Sequence, residues 1–392
     1  MCDMFEGCVS LEEISSLSSW DVSNVKDMGE MFFNCFSLEN IDALSNWNVS
    51  NVENMAAMFA ACESLVKLTG LKYWDVSNVK CMGNMFDGCD SLVDLSGLKY
   101  WEFSNVRMDS MFNECYSLKN VDALKYWNVS NVKDMAGMFG GCSLTDISAL
   151  KNWDVSNVKD MAGMFGSCDF TRGTPLKNWD VSKVKDMSYM FSCLEDVSAL
   201  SSWNVSNVEN MASMFSGCDF TDIDALSNWD VSNVKSMKGM FNACSSLENI
   251  NALSNWDVSN VKDMEHMFAN CAFTDINALR YWDVSNVVNM MEMFYDCSCL
   301  KDINALRYWD VSNVTNMSKM FYYCSSLKEI NAIRYWDVSH VEDMNHMFYA
   351  CSNLEDICAL RYWNISNLHS MNNMFYGCKS IKIYPKWYRA FL

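Results

Sequence analysis

Hydrophobic positions along the chain recur with one short period, and tryptophan marks this period most clearly. Fourteen tryptophans, from Trp20 to Trp363, follow one another at intervals of 24 to 27 residues. A Met-Phe pair recurs fifteen times, from Met4-Phe5 to Met374-Phe375. A repeat of roughly 20 to 50 residues indicates a stacked array in which each copy is one structural unit. The sequence therefore predicts fourteen full coils after a partial first one.

The copy from residue 324 to residue 348 shows how each period is divided. Apolar residues at spaced positions in 327–333 predict a short strand and a bend, whereas Val341, Met344 and Met347 have the i, i+3, i+6 spacing of a short helix or helical turns. A coil this short cannot bury its apolar face alone, so coils stack and their strands form one parallel sheet. The predicted fold class is a repeat solenoid of about fifteen coils, with one short parallel strand and a short helix or helical turns per coil.

The pattern runs through nearly the whole chain without a linker. Only two prolines occur, and no Gly/Ser-rich or charged tract interrupts the repeat. We therefore predict a single solenoid over residues 1–380, with irregular coils near 166–200, where the segment from Phe170 to Pro175 replaces the usual strand and the segment from Phe191 to Leu194 is shortened. The apolar and basic segment 381–392 is interpreted as a C-terminal cap, with a docking tail as the alternative.

Three motifs carry a resemblance to a known family. The patterns Cys-x-Ser-Leu-x-x-Ile-x-Ala-Leu, Trp-Asp-Val-Ser-Asn-Val and Met-x-x-Met-Phe recur up to about Ile381. They resemble the BspA-like leucine-rich repeats, in the Met-Phe variety found in arrays of surface proteins. The resemblance implies a leucine-rich-repeat-like solenoid whose proposed roles are adhesion and protein binding, on a cell surface or in a virus-encoded protein.

Composition and charge narrow the expected partners and compartment. The formal charge of -20 repels phosphate backbones, so nucleic acid is not expected as a partner. No stretch approaches the roughly 18 apolar residues of a membrane span, and no signal peptide is visible, so membrane insertion is not expected. As written, the sequence predicts a cytoplasmic or virion location; the family resemblance implies the cell surface if the N-terminus is truncated.

Two further kinds of residue recur at a fixed position of each repeat, and each could either stabilise the fold or bind a metal. Fifteen of the 19 cysteines share one repeat position, from Cys8 to Cys378, and buried free thiols are favoured over disulfide or metal use. Asp or Asn follows nearly every ladder Trp, as at Asp21 and Asn48, and turn capping is favoured over calcium binding. We therefore predict no metal site and no cofactor.

The chain offers little material for catalysis. It has only four histidines, at His266, His340, His346 and His369, and it lacks a nucleophile elbow, a phosphate loop and a metal-binding helix. The sequence therefore predicts no catalytic residues and a protein that is not an enzyme.

Positions where the copies differ are the candidates for binding, because invariant positions hold the stack together. Between residues 280 and 376 the two positions before Trp become Arg-Tyr, and the position after Met-Phe becomes Tyr. Arg and Tyr are favoured at interface hot spots. The predicted binding residues are Arg280, Tyr281, Arg307, Tyr308, Arg334, Tyr335, Arg361, Tyr362, Tyr295, Tyr322, Tyr349 and Tyr376. The alternative is that similar copies arose by duplication and that these side chains are merely solvated.

Three hypotheses for function follow from the repeat. The first is a non-enzymatic scaffold that binds a protein partner, of the surface, adhesion or virus-encoded recognition type. The second is a structural component that assembles end to end or side by side, in which the uncapped N-terminal coil mediates self-assembly. The third is carbohydrate binding through the Tyr/Arg stripe.

Overall fold

The computed structural model of the chain describes residues 1–389, so residues 390–392 of the predicted tail lie outside the described residues. The chain divides into two compact units, Met1–Cys193 and Leu194–Leu392. Each unit is a stack of coils with the period seen in the sequence, and the predicted solenoid of about fifteen coils is confirmed. The division falls inside the range 166–200; the single solenoid over 1–380 stays a prediction.

Helical structure in both units consists of one short 3-10 helix per coil. Within residues 1–389 there are seven in the first unit: Ser15–Ser19, Asp42–Asn46, Thr69–Leu71, Ser96–Leu98, Asp122–Tyr126, Ser148–Asn152 and Thr174–Leu176. The second unit has seven more: Ser198–Ser202, Asp224–Leu226, Asn251–Asn255, Asn277–Leu279, Asn304–Tyr308, Asn331–Tyr335 and Cys358–Tyr362. One four-residue α-helix, α1 (Lys386–Arg389), follows. None of the helices of this described part is long and apolar enough to cross a membrane.

Neighbouring coils are joined by isolated parallel β-bridges, one residue long. A main row in the second unit connects Asn210, Ser236, Asp263, Asn289, Asn316, Asp343 and Ser370, and its counterpart in the first unit begins Asp27, Asn54, Cys81 and Arg107. A second, sparser row includes the bridge between Glu329 and Asp356. The expected parallel pairing is therefore present, but each coil contributes a bridge and not an extended strand.

The positions of the elements within a coil differ from the sequence prediction. A bridge lies at Glu329, in the predicted strand, but the 3-10 helix Asn331–Tyr335 takes up the end of that segment. The segment 341–347, for which a short helix or helical turns are predicted, forms separate turns and no regular helix. The N–H groups of Met344 and His346 donate to the next coil, as from His346 to the Asn372 oxygen at 2.9 Å, whereas Met347 donates within the coil to the Met344 oxygen at 3.3 Å.

Side-chain donors add a second set of bonds between coils. Trp336 Nε1 donates to the Leu306 oxygen at 3.0 Å, and Cys324 Sγ donates to the Phe294 oxygen at 3.1 Å. All 19 cysteines are free, and 13 of the 15 that share the repeat position are buried, whereas Cys8 and Cys193 are exposed. The predicted turn capping is confirmed, since Asp337 Oδ1 accepts the Ser339 backbone N–H at 3.0 Å. The side-chain and backbone hydrogen bonds from Ser339 lower the pKa of the Asp337 carboxyl.

Stacked aromatic rings form the core of each coil. In the second unit Phe321 lies between Phe294 and Phe348, with ring centroids 5.6 and 5.5 Å apart and interplanar angles of 7° and 5°. The Trp ladder stacks in the same way, as between Trp282 and Trp309 at 6.5 Å. Because the neighbouring coil covers each ring, the apolar residues that repeat in sequence form a column within each unit.

One glycine limits how closely two coils of the first unit approach. A Cβ on Gly97 would lie 1.7 Å from the Leu68 carbonyl oxygen, so Gly97→Ala forces the backbone to move. We expect a loss of about 1–3 kcal/mol in the free energy of unfolding, measured by urea denaturation. Gly29→Ala is the matched control, since its nearest neighbour is the Asn54 side chain, which can move. Equal stability of the two variants would contradict the close-approach argument.

Candidate functional site

The 3-10 helices place Arg and Tyr on the outside of each coil. In the helix Asn331–Tyr335, Ile333 is buried and so is the following Trp336, three residues further on. With three residues per turn, these two share the inner face of the helix. Arg334 and Tyr335 lie between them; Tyr335 is 71% exposed, whereas Arg334 is half-buried and its Nε is covered.

These side chains form an ordered row, here called the Arg/Tyr ladder: Arg280, Tyr281, Arg307, Tyr308, Arg334, Tyr335, Arg361 and Tyr362. Arg280 Cζ lies 5.5 Å from the ring centroid of Tyr281 and 5.5 Å from that of Tyr308 in the next coil. Arg334 makes the same pair of contacts, at 5.4 Å to Tyr335 and 4.3 Å to Tyr362. Cation–π contacts therefore link two pairs of neighbouring coils, from Arg280 to Tyr308 and from Arg334 to Tyr362, whereas Arg307 contacts the ring of its own coil.

The tyrosines that follow Met-Phe form a second row, here called the Tyr column: Tyr295, Tyr322, Tyr349 and Tyr376. Successive ring centroids lie 4.7, 4.7 and 5.1 Å apart, with interplanar angles of 6°, 10° and 20°. Burial raises the pKa of both Tyr295 and Tyr322. Tyr376 differs from the other three, because it is 62% exposed.

The structure arranges the twelve predicted residues as two separate rows. Contacts run along the Arg/Tyr ladder and along the Tyr column, but no ring or cation–π contact within residues 1–389 joins one to the other. The same Trp-proximal position in the first unit carries similar pairs, with Lys72 Nζ 5.0 Å from Tyr73 and Lys99 Nζ 5.2 Å from Tyr100. Cation–π pairing therefore occurs at this repeat position in both units. The cation is Lys in the pairs of the first unit and Arg in those of the second.

Sequence reasoning missed a charged row between the two methionines of the motif. His266 Nδ1 lies 3.2 Å from Glu292 Oε2, and Lys319 Nζ lies 2.8 Å from Glu292 Oε1. In the next coils His346 contacts the Tyr349 ring at 5.6 Å and Asn373 Nδ2 at 3.3 Å. Aligning the variable positions of the Met-x-x-Met motif across copies would have revealed this row, because facing residues differ in charge.

One acidic group has the spacing of possible metal ligands. Carboxylate oxygens of Asp3, Glu6 and Glu30 lie within 4.8 Å of one another, and all three residues are exposed. Exposed carboxylates of this kind keep their hydration without an ion, and nothing else in the first coils points to a ligand. The absence of a metal site and of a cofactor stays a prediction.

Solved structures similar to this chain are leucine-rich-repeat proteins. An internalin from Listeria monocytogenes is 16% identical, with 79% of this chain and 86% of that chain covered and a TM-score of 0.36. A leucine-rich repeat protein from Bacteroides ovatus is 17% identical, with 84% and 80% covered and a TM-score of 0.36. A leucine rich cell surface protein from Faecalibacterium prausnitzii is 13% identical, with 76% and 74% covered and a TM-score of 0.32. At these TM-scores nothing about binding is transferred to this chain.

A search of curated proteins gave no match. A family model matches four overlapping segments, residues 1–121, 106–223, 194–302 and 288–387, which together span nearly all of the chain. Its description names no reaction and no ligand. The repeat character inferred from the tryptophan spacing is thus shared with a known family, whereas the finer BspA-like resemblance stays a prediction. The chain belongs to the family described as "Mycoplasma protein of unknown function, DUF285".

Proposed function

We propose that this protein is a non-enzymatic scaffold that binds a protein partner through the Arg/Tyr ladder and the Tyr column. A recognition role of the adhesion type, on a cell surface or in a virus-encoded protein as in the BspA-like repeats, is part of the proposal. The single observation that carries it is the ordered, exposed Arg/Tyr ladder of the second unit. Nothing in a merely structural repeat requires Tyr281 to be 80% exposed while Arg280 contacts two rings.

The ladder has the physical properties of a binding surface. Tyr and Arg bring large contact areas and directional hydrogen bonds, and they are enriched at hot spots. Rotamer-rich side chains normally lose about 0.5–1.5 kcal/mol of conformational freedom each when a partner immobilises them. Because Arg334 and Tyr362 already pack at 4.3 Å, part of that ordering is complete before a partner arrives. The partner surface that fits best presents carboxylates and apolar groups to the guanidinium and phenol groups.

Replacing one rung of the ladder is expected to remove most of the binding. The variant Arg307→Glu with Tyr308→Ala deletes a cation–π pair and reverses one charge in the row. Hot-spot residues contribute about 2 kcal/mol or more, so the amount of partner captured from an extract of the source cells should fall about thirtyfold. The immobilised chain is compared with the variant by quantitative mass spectrometry of the captured proteins.

The matched control changes the same repeat position in the first unit. Lys99→Glu with Tyr100→Ala removes an equivalent exposed pair, whose contact distance is 5.2 Å, and should leave capture unchanged. Equal loss in both variants would indicate a charge effect spread over the chain. No loss in either would contradict the proposed binding surface.

Two other outcomes would favour the alternative functions. Release of the captured partner by competing sugars would favour carbohydrate binding at the exposed rings of Tyr281 and Tyr335. Discrete oligomers in light scattering over a range of protein concentrations would favour the structural component, assembling end to end or side by side. A mass independent of concentration would support the binding scaffold.

A further inference from the structure

A cavity of about 630 Å³ lies where the coil after Trp363 meets the tail that follows it. Its walls come from both parts, with Met371, Asn373 and Tyr376 on the coil side and Tyr384 and Tyr388 on the tail side. The cavity is large enough for several side chains of a bound peptide. None of its lining residues belongs to the Arg/Tyr ladder, but Tyr376 is the last ring of the Tyr column, so the inference drawn from this cavity rests on the proposed function at that ring.

The tail continues two of the ladders that join successive coils. Trp387 Nε1 donates to the Leu360 oxygen at 2.9 Å, as Trp363 Nε1 does to the Ile333 oxygen at 3.0 Å. The Tyr388 ring packs edge-on against Phe375, with centroids 4.9 Å apart. The tail thus covers the Trp and Phe positions that a further coil would cover. These contacts support the cap interpretation of residues 381–389, which stays a proposal.

Two backbone N–H groups and one aromatic ring face of the last coil have no partner inside the cavity among the described residues. In the preceding coil, Met344 N–H donates to the Ser370 oxygen at 2.8 Å, and His346 N–H donates to the Asn372 oxygen. The equivalent N–H groups of Met371 and Asn373 find no acceptor among residues 1–389. Tyr349 is covered on one face by Tyr376, but the outer face of Tyr376 has no ring against it in the described part of the chain. The cavity therefore offers two backbone donors and one aromatic face.

The coil and tail that form the cavity carry a positive charge, in contrast to the whole chain. Residues 357–392 contain five Lys and Arg and no Asp or Glu, whereas the full chain has 49 acidic and 29 basic residues. Lys379, Lys382 and Lys386 are exposed on the segment that leads into the tail wall. These residues therefore favour an acidic ligand at this end of the second unit.

We propose that this cavity binds an extended acidic peptide segment of a partner protein, with an aromatic side chain stacked on Tyr376. Two peptide carbonyls accept the Met371 and Asn373 N–H groups, as the carbonyls of each following coil do along the stack. Peptide carboxylates lie near Lys379, Lys382 and Lys386. This is addition of a chain segment to an open edge, in which backbone bonds give affinity and side-chain pockets give specificity. It continues an interface that the chain already uses between its own coils.

A labelled peptide tests the proposal directly. The probe copies residues 289–296 of this chain with alanine in place of Phe294, because Tyr388 already covers Phe375. It keeps the carbonyls of residues 289 and 291, which accept from Met264 and His266 in the native stack, and it carries two carboxylates and one tyrosine. We expect saturable binding in fluorescence anisotropy, weakened by added salt.

Tyr376→Ala should weaken binding of this probe about threefold to tenfold, the range for a lost aromatic stack. Tyr73→Ala, which removes a tyrosine of the first unit that is 76% exposed, is the matched control and should change nothing. A second peptide, with alanine in place of its tyrosine, should bind the original chain as weakly as the first peptide binds Tyr376→Ala. Combining the two changes should cause no further loss of affinity. Tyr376 is exposed, so the variant should fold; its melting curve confirms this.

Several results would overturn the proposal. These are no saturable binding of the probe, equal weakening by Tyr73→Ala, or full binding by a peptide with Gln and Asn in place of its two acidic residues. Charge reversal at Lys382→Glu gives a second variant that does not touch the stack, and it should also weaken the probe. The ladder variant Arg307→Glu with Tyr308→Ala should keep the original affinity for this peptide, so failure here and failure of the proposed function are separable.

Discussion

At pH values above about 9, the protein is expected to unfold over a narrow range, because its ladder thiols are buried and protonated. Burial raises the pKa of the Cys297 thiol to about 12. An unfolded chain presents the same thiol to water, where its pKa is about 8.5. The stabilisation from keeping the proton is therefore fully present below about pH 8.5, and it is lost as the pH rises from there towards the folded pKa.

The effect is large because many thiols share the same environment. Burial is the first cause of a raised pKa at Cys62, Cys89, Cys168, Cys244, Cys271, Cys297 and Cys324. Each such thiol lowers the free energy of unfolding by about 1 kcal/mol for every pH unit above its unfolded pKa. Seven such thiols together lower the free energy of unfolding by on the order of 10 kcal/mol at about pH 10. This is comparable with the total free energy of unfolding of an ordinary domain.

Urea denaturation at a series of pH values from 7 to 10.5, under reductant, measures this slope. Other groups titrate in the same range, so the comparison that isolates the thiols is with the variant Cys297→Ala with Cys324→Ala. Its free energy of unfolding should fall less steeply above pH 9, by the equivalent of about two protons. Identical slopes for the two proteins would show that these thiols do not retain their protons in the folded state.

The period of the sequence was enough to predict the stack, because the residues that repeat are those that coils bury against each other. Trp336, Phe348 and Cys351 all lie in the core at the positions that their recurrence implies. The predicted turn capping by Asp337 also followed from local chemistry alone. In each case the decisive interaction is either local or the same in every copy.

The backbone of the Met-Phe segment was not predictable in the same way. Spacing of apolar residues at i, i+3 and i+6 fits a helix, but it also fits successive turns in which alternate residues bond to the next coil. The turns require positive φ at His346 and Ala350, both +57°, and non-glycine residues rarely adopt this conformation. The stack imposes it, since only then do the N–H groups reach the neighbouring carbonyls.

The candidate site was predictable in its residues but not in its arrangement. Periodicity tells which side chains share a position in successive coils, so the Arg/Tyr ladder and the Tyr column each follow from counting residues. It does not tell how far apart two positions lie around one coil. Whether Arg307 and Tyr322, which occupy different repeat positions, contact each other could therefore not be predicted. The cavity beside Tyr376 was missed because the tail that encloses it has no repeat to align.

Removing one ring from the phenylalanine column should destabilise the second unit strongly. Phe321 is fully buried between Phe294 and Phe348, and its ring is in contact distance of both. Phe321→Ala leaves a cavity that neighbouring coils cannot close, because their spacing is fixed by the backbone bonds from Phe294 to Met320 and from Phe321 to Met347. We expect a loss of about 3–5 kcal/mol in the free energy of unfolding.

The same substitution at an exposed ring separates cavity formation from the loss of a side chain as such. Phe36 is 36% exposed, so Phe36→Ala should cost less than half as much in the same urea titration. Because coils contact only their neighbours, the loss at Phe321 should also appear as faster amide exchange in the coils on either side before it appears in the first unit. Uniform acceleration across all coils would instead show that the array unfolds as one cooperative body, and equal costs at both sites would contradict the stacked column as the source of stability.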